Sequence, residues 1–305
     1  DVHSDGHEHD RRGSRLDHVN TLLDDATKAS IGPGVAAALA EDVGAGDLTA
    51  QLVDENAVVG AQVIAREPLV VCGEAWVDEV FRQLDDTVIV DWYIGDGGAA
   101  EGDDVICKLV GNTRALFTGE QTALNFLRVL SATATATSAC VKAIEGTRAK
   151  VVDTRETIPG LRLAQKHAVR CGGGHNHGNG LYDAILISRS HARTAGGIAA
   201  ALDAAANMQT DVPVEIEVGS HDEMGEALDA GATRIRLDDF SLDELRQAVA
   251  TNRAYGYVGA ELEASGNVTL ETIRGVAETG VDYISTGAIT SNITTVGLSM
   301  LFRID

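Results

Sequence analysis

From residue 150 onward, short apolar runs that end in a polar residue alternate with stretches whose apolar positions recur at helical spacing. The runs cover 150–153, 184–187, 214–217, 234–238, 260–263 and 283–286, and the pattern predicts helices over 196–206, 221–230, 241–251 and 270–278. Repeated βα units of this length imply parallel strands joined by right-handed crossovers, in a closed barrel or an open sheet. Upstream, the pattern predicts strands over 61–66, 88–93 and 104–109, a helix over 76–84 and a Gly-rich turn at 95–102. Two further helices are expected over 16–29 and 34–41, the second ended by Gly44 and Gly46. Residues 119–144 read as one long helix, or two joined near Ser131. An α+β sheet domain followed by an α/β domain is the expected organisation.

Composition narrows the picture. The 305 residues are 44% hydrophobic and 23% charged, a globular balance that excludes disorder as the main state. Apolar runs are too short and too often broken to span a bilayer. The formal net charge is −22 and the pI about 4.6, a field that repels phosphate backbones and argues against nucleic-acid partners. Lysine is confined to Lys28, Lys108, Lys142, Lys150 and Lys166, a pattern that suggests adaptation to high salt, where carboxylate repulsion is screened. The first fifteen residues form a polar tail with His3, His7 and His9, expected to be flexible and to bind metal at most incidentally. That segment has no apolar core of the kind a secretory signal needs, so a cytoplasmic location is expected, and the opening Asp suggests a trimmed chain. Cys72, Cys107, Cys140 and Cys171 form no CxxC pair, so buried, reduced thiols are expected rather than zinc ribbons or redox motifs.

Reactive groups of α/β barrels sit at the C-terminal ends of the strands. Those ends carry Asp153 and Arg155, Glu217, Asp238, Glu263 with Ser265, and Ser285 with Gly287. Carboxylates can hold a divalent cation or ribose hydroxyls, and Gly-rich turns can offer backbone N–H groups to phosphate. The set points to a sugar-phosphate substrate and Mg²⁺. Between two of the runs lies Cys171-Gly172-Gly173-Gly174-His175-Asn176-His177-Gly178-Asn179-Gly180, where the glycines permit close backbone approach. Its two histidines, i and i+2 with no third ligand nearby, are weak evidence for zinc and better suited to hydrogen-bonding an anion or the loop itself.

Asp153-Thr154-Arg155-Glu156-Thr157-Ile158-Pro159-Gly160-Leu161-Arg162 resembles the DTRKT-PGLR signature of the quinolinate phosphoribosyltransferase family. The glycine–histidine loop, Glu215–Val218, Leu237-Asp238, Glu263-Ala264-Ser265-Gly266-Asn267 and Ser285-Thr286-Gly287 follow in the family's order, and Glu41-Asp42, Arg66-Glu67 and Gly119-Glu120 fit upstream. The resemblance covers the chain from about residue 31. It implies an N-terminal open-faced α/β sandwich over 16–130, on which 291–305 packs, and a C-terminal incomplete (β/α) barrel over 131–290. It also implies a homodimer or hexamer with shared active sites. The implied reaction joins quinolinate to 5-phosphoribosyl 1-pyrophosphate with Mg²⁺ and releases CO₂, giving nicotinate mononucleotide for NAD biosynthesis. By position, Arg155, Arg162, Lys166 and His177 represent the cationic clamp on the acid, and Glu217 and Asp238 the ribose and metal carboxylates. Arg155, Glu217 and Asp238 are the implied catalytic residues, while Ser265, Gly266, Asn267 and Gly287 match the turns that receive the 5′-phosphate.

Basic residues of the family pattern are replaced at four positions: Gln121 and Gly178 stand for arginines, and Glu156 and Ser188 for lysines. Ser190 also replaces an asparagine. One lost charge-assisted hydrogen bond removes about 1.5–3 kcal/mol. Four independent losses would cancel most of the roughly 8 kcal/mol behind micromolar binding. A weakened paralogue that binds phosphoribosyl ligands, or a phosphoribosyltransferase for another aromatic acid, is therefore the alternative reading.

Overall fold

The structure is a computed structural model that describes residues 23–256 and 259–303. The polar tail and the first half of the helix expected over 16–29, residues 16–22, lie outside the described residues.

Contact density divides the chain into two units: one comprises the chain up to Ala136, Ile158–Gly173 and the segment from Ile293 on, the other Thr137–Thr157 and Gly174–Asn292. Helix α1 (Asp25–Val43) opens the first unit, with the Asp24 side chain accepting from Thr27 N at 2.7 Å as its N-cap. Here the structure corrects the sequence reading, which broke this stretch into two helices. Pro33 lies inside a continuous helix, because Thr27, Ile31, Val35 and Leu39, spaced by four, bury one stripe. That burial outweighs the local cost of a missing N–H.

Strands β1 (Val58–Ala65), β2 (Leu69–Val70), β3 (Ile89–Trp92), β4 (Ala99–Ala100) and β5 (Val105–Asn112) follow, with α2 (Glu74–Leu84) between β2 and β3. The C-terminal β12 (Leu298–Arg303) returns to pair antiparallel with β1, giving a four-stranded sheet in the order β12-β1-β5-β3. Val59, Ala61, Val63 and Ala65 alternate into the core with Trp76, Phe81 and Leu109. The opposite face is open: Ile89 and Val110, directly paired, are 66% and 50% exposed. Helix α3 (Thr113–Ala143) is one uninterrupted element and begins before residue 119. Ser131 does not break it, since its Oγ is spent on the Cys72 backbone, accepting from Cys72 N at 3.0 Å and donating to Cys72 O at 3.1 Å. Helix α4 (Arg162–Cys171), which the sequence pattern did not predict, also belongs to this unit.

In the second unit β6 (Lys150–Val152), β7 (Ile185–Ile187), β8 (Val214–Val218), β9 (Arg234–Asp238), β10 (Glu261–Ser265) and β11 (Tyr283–Ser285) form an all-parallel sheet in the order β6-β11-β10-β9-β8-β7. Among the described residues β6 and β7 are its unjoined edges, so the barrel is incomplete; a bridge from Val152 to His175 extends the β6 side. Intervening helices are α5 (Arg189–Ala195), α6 (Ile198–Asn207), α7 (His221–Asp229), α8 (Leu242–Ala254), α9 (Ile273–Glu278) and α10 (Ala288–Ser291). Ile216, Val218, Ile235 and Leu237 are fully buried on one face of the sheet. The alternate positions, which point to the other face, are charged.

Candidate active site at the open end of the barrel

That charged face is built in register. Glu217 is paired with Arg236 and Arg236 with Glu263, one layer below the Asp238–Ser265 pair. Two acids are fully enclosed: Glu263 lies 2.7 Å from Arg234 Nη2 and 2.9 Å from Arg236 Nη2, and Glu215 lies 3.6 Å from both arginines. Burial pushes the Glu263 carboxyl up, but the Arg236 guanidinium and hydrogen bonds from Ser285 and Arg234 hold it below its ordinary value. Glu263, read from the sequence as one of the strand-end ligand carboxylates, is therefore a structural counter-ion. His177, Glu215 and Glu263 come within metal-ligating distance of one another, but the two guanidiniums already neutralise these acids.

Asp153 is likewise committed to the fold. Its carboxylate accepts from Asn176 Nδ2 at 2.6 Å and from His177 N at 2.7 Å, pinning the glycine–histidine loop to the end of β6. This defines the His177 ring. Gly178 N donates to Nδ1 at 2.9 Å, so Nδ1 is the acceptor, and Nε2–H donates to Glu215 Oε2 at 2.5 Å. Both ring nitrogens thus have protein partners.

Glu217 and Asp238 are half-buried at the strand ends. Glu217 Oε1 accepts from Arg189 N at 3.4 Å, and Asp238 Oδ1 accepts from Ser265 Oγ at 3.1 Å. Arg155 is exposed after β6, in the same unit as His177, Glu217, Asp238, Ser265, Gly266, Asn267 and Gly287. Arg162 and Lys166 belong to the first unit, on α4, where Lys166 is 1% exposed. Gln121 lies in that unit too, exposed on α3 and donating to Asn125 Oδ1 at 2.9 Å.

The replaced positions have local structural consequences. Glu156 lies over Gly287: a Cβ added there would be 2.0 Å from Glu156 Oε2. Gly266 is covered in the same way by Asp239 Oδ1, at 2.1 Å. Each turn matched to the family's phosphate site therefore has a carboxylate of this chain against it. Ser188 caps α5, its Oγ accepting from His191 N at 3.3 Å. A Cβ at Gly178 would come within 2.9 Å of Asp183 Oδ1; this carboxylate holds the loop, Oδ2 accepting from Asn179 N and Oδ1 from Gly180 N. The sequence reading missed Glu215, Arg234 and Arg236. The signal for them was the strict alternation in Glu215-Ile216-Glu217 and Arg234-Ile235-Arg236, which puts charge on one face of paired strands.

Half-buried acids and glycine turns at the C-terminal ends of parallel strands define a (β/α)-barrel protein that handles a polar small molecule there. Residues 47–131 match the N-terminal domain of quinolinate phosphoribosyl transferase and residues 133–301 its C-terminal domain, and the chain belongs to this family. It is 38% identical over 263 residues to the nicotinate-nucleotide pyrophosphorylase [carboxylating] of Mycobacterium leprae, covering 84% of this chain and 91% of the relative. It is 36% identical over 264 residues to the probable enzyme of that name from Bacillus subtilis, covering 85% and 89%. The solved nicotinate-nucleotide pyrophosphorylase from Francisella tularensis superposes with a TM-score of 0.87 at 42% identity, over 90% of this chain and 96% of that one.

Proposed function

We propose that this protein transfers the phosphoribosyl group of 5-phosphoribosyl 1-pyrophosphate to the ring nitrogen of quinolinate. Pyrophosphate leaves, and loss of the adjacent carboxyl as CO₂ then yields nicotinate mononucleotide. The observation that carries the reading is the placement of Glu217 and Asp238, two half-buried acids with oxygens held by Arg189 N and Ser265 Oγ, at the ends of paired barrel strands. The relatives' names favour this enzyme over the weakened-paralogue alternative.

Arg155, exposed after β6, is the cation that grips the acid, its guanidinium fork suited to a carboxylate. His177 orients the loop at the acid's edge through its fixed tautomer. Glu217 and Asp238 hold the ribose hydroxyls and would also hold Mg²⁺, whose preference for hard oxygen ligands their carboxylates satisfy. When bound, the ion neutralises charge on the departing pyrophosphate. Ser265, Gly266, Asn267 and Gly287 receive the 5′-phosphate, which must displace the Glu156 and Asp239 carboxylates from the two glycines. Homodimers or hexamers with shared sites, working in the cytoplasm, complete the reading; four free, buried cysteines suit a reducing compartment.

Incubation with quinolinate, 5-phosphoribosyl 1-pyrophosphate and Mg²⁺ in low and in molar salt is expected to yield nicotinate mononucleotide. No product above blank in either condition would refute the assignment. Asp238→Asn is expected to lower turnover about 100-fold. Glu156→Ala is expected to lower the KM for the phosphoribosyl donor about tenfold, or about 1.4 kcal/mol, by removing the competing carboxylate.

A further inference from the structure

The first unit contains a convergence of side chains that phosphoribosyl transfer does not use. Cys72 follows β2, Asp96 precedes β4, and His167 and Cys171 share one face of α4 through their i,i+4 spacing. One ligand atom from each of the four lies within 4.8 Å of all the others. The site is closed: Cys72 and His167 are 0% exposed, Asp96 7% and Cys171 9%. His167 Nε2 faces Asp96 Oδ2 at 2.8 Å and Cys171 Sγ at 3.4 Å.

Each group is held from behind. Asp96 Oδ1 accepts from Gly73 N at 2.8 Å and Glu74 N at 3.0 Å, leaving Oδ2 to the cluster. The Cys72 backbone is fixed by Ser131 on α3, and the Trp76 ring packs at 5.6 Å from the His167 ring. His167 Nδ1 has no hydrogen-bond partner among the described residues, so Nε2, the nitrogen in the cluster, is the one that the fold engages.

We propose that Cys72, Asp96, His167 and Cys171 bind one structural Zn²⁺ that fastens α4 to the β2–α2 and β3–β4 connections. Two sulfurs, one imidazole nitrogen and one carboxylate oxygen form a donor set that favours zinc over magnesium or calcium. Tetrahedral ligation with Zn–S of about 2.3 Å and Zn–N of about 2.0–2.1 Å separates S from N by about 3.5 Å, matching the 3.4 Å between Cys171 and His167. The His167–Asp96 contact would open by about 0.5 Å to admit the ion. Four protein ligands in a closed pocket leave no position for substrate, so the ion is structural. Its site is independent of the proposed reaction, although α4 also carries Arg162 and Lys166. The sequence hid the site because its ligands come from three separate segments, the closest pair in CxxxH order reversed as His167-x-x-x-Cys171.

The test uses the full chain, refolded with Zn²⁺ or Co²⁺, dialysed, and measured for metal content and absorption. The expected result is one tightly held zinc per chain and, with cobalt, a thiolate-to-metal charge-transfer band. The histidines of the N-terminal tail contain no sulfur and cannot produce that band. Cys72→Ser and Cys171→Ser should each abolish it, His167→Gln should weaken metal retention at least tenfold, and Cys140→Ser should leave both unchanged. Circular dichroism identifies the folded variants. If a ligand variant fails to fold, the wild-type cobalt spectrum and zinc stoichiometry decide alone. Folded wild-type protein without tightly bound zinc, a cobalt spectrum without sulfur bands, or a Cys72–Cys171 disulfide that forms equally with and without zinc would each overturn the proposal.

Discussion

The barrel interior of the second unit and the α4 pocket of the first both bury carboxylates, in opposite ways. In the barrel, Glu215 and Glu263 meet Arg234 and Arg236 carried by the strand between them, so acid and base neutralise each other within one sheet. In the pocket, Asp96 meets backbone amides, an imidazole and two thiols. The difference follows from topology. Parallel strands repeat side-chain direction every second residue, so adjacent strands can line up opposite charges over several layers. A helix packed against loops brings together single residues of unlike chemistry.

If the barrel charges are mutually dependent, removing one acid should be the most damaging change. Glu263→Gln is expected to cost about 3 kcal/mol in urea denaturation, because it leaves Arg234 and Arg236 to share Glu215, 3.6 Å from each, as their remaining counter-ion. A loss below 1 kcal/mol would show that these charges are effectively solvated. The same variant fixes the pH dependence. Glu263 is held below its ordinary value in the folded state, so its contribution is present above the unfolded value of about 4.5 and disappears as pH falls through the folded one. Wild-type stability should therefore drop more steeply on acidification below about pH 4.5 than that of Glu263→Gln.

Asp96→Ala, measured in metal chelator, is expected to cost about 2–3 kcal/mol by stranding two backbone donors and the His167 ring. A cost equal to that of Glu263→Gln would erase the contrast between the two regions. The smallest effect belongs outside both. Ser241 caps α8 in a reciprocal pair with Glu244, and Ser241→Ala should cost about 1 kcal/mol without altering turnover. A change in turnover would tie this surface helix to the barrel mouth.

Much of this was legible before any coordinates. The strands over β8 to β11 and the acids Glu217 and Asp238 at their ends follow from short alternating runs, since local periodicity is the cause of strand facing. Helix α1 is continuous where the sequence pattern reads two helices, because the stripe Thr27, Ile31, Val35 and Leu39 is buried through Pro33. Helix α4 is faint in the sequence because its buried stripe, Ala164, Ala168 and Cys171, is made of small residues, and Gln165, Lys166 and His167 beside it are almost fully enclosed although polar. Polar residues inside a core have partners that lie far away in sequence.

The order of apolar runs, the charge alternation within each strand and the family's motifs are properties of neighbouring residues, and the sequence alone determined them. Which acids remain half-buried at the strand ends, which are consumed as counter-ions, and that Cys72, Asp96, His167 and Cys171 meet were decided only by the tertiary structure. Burial and pairing depend on contacts between segments distant along the chain, and no local pattern encodes those distances.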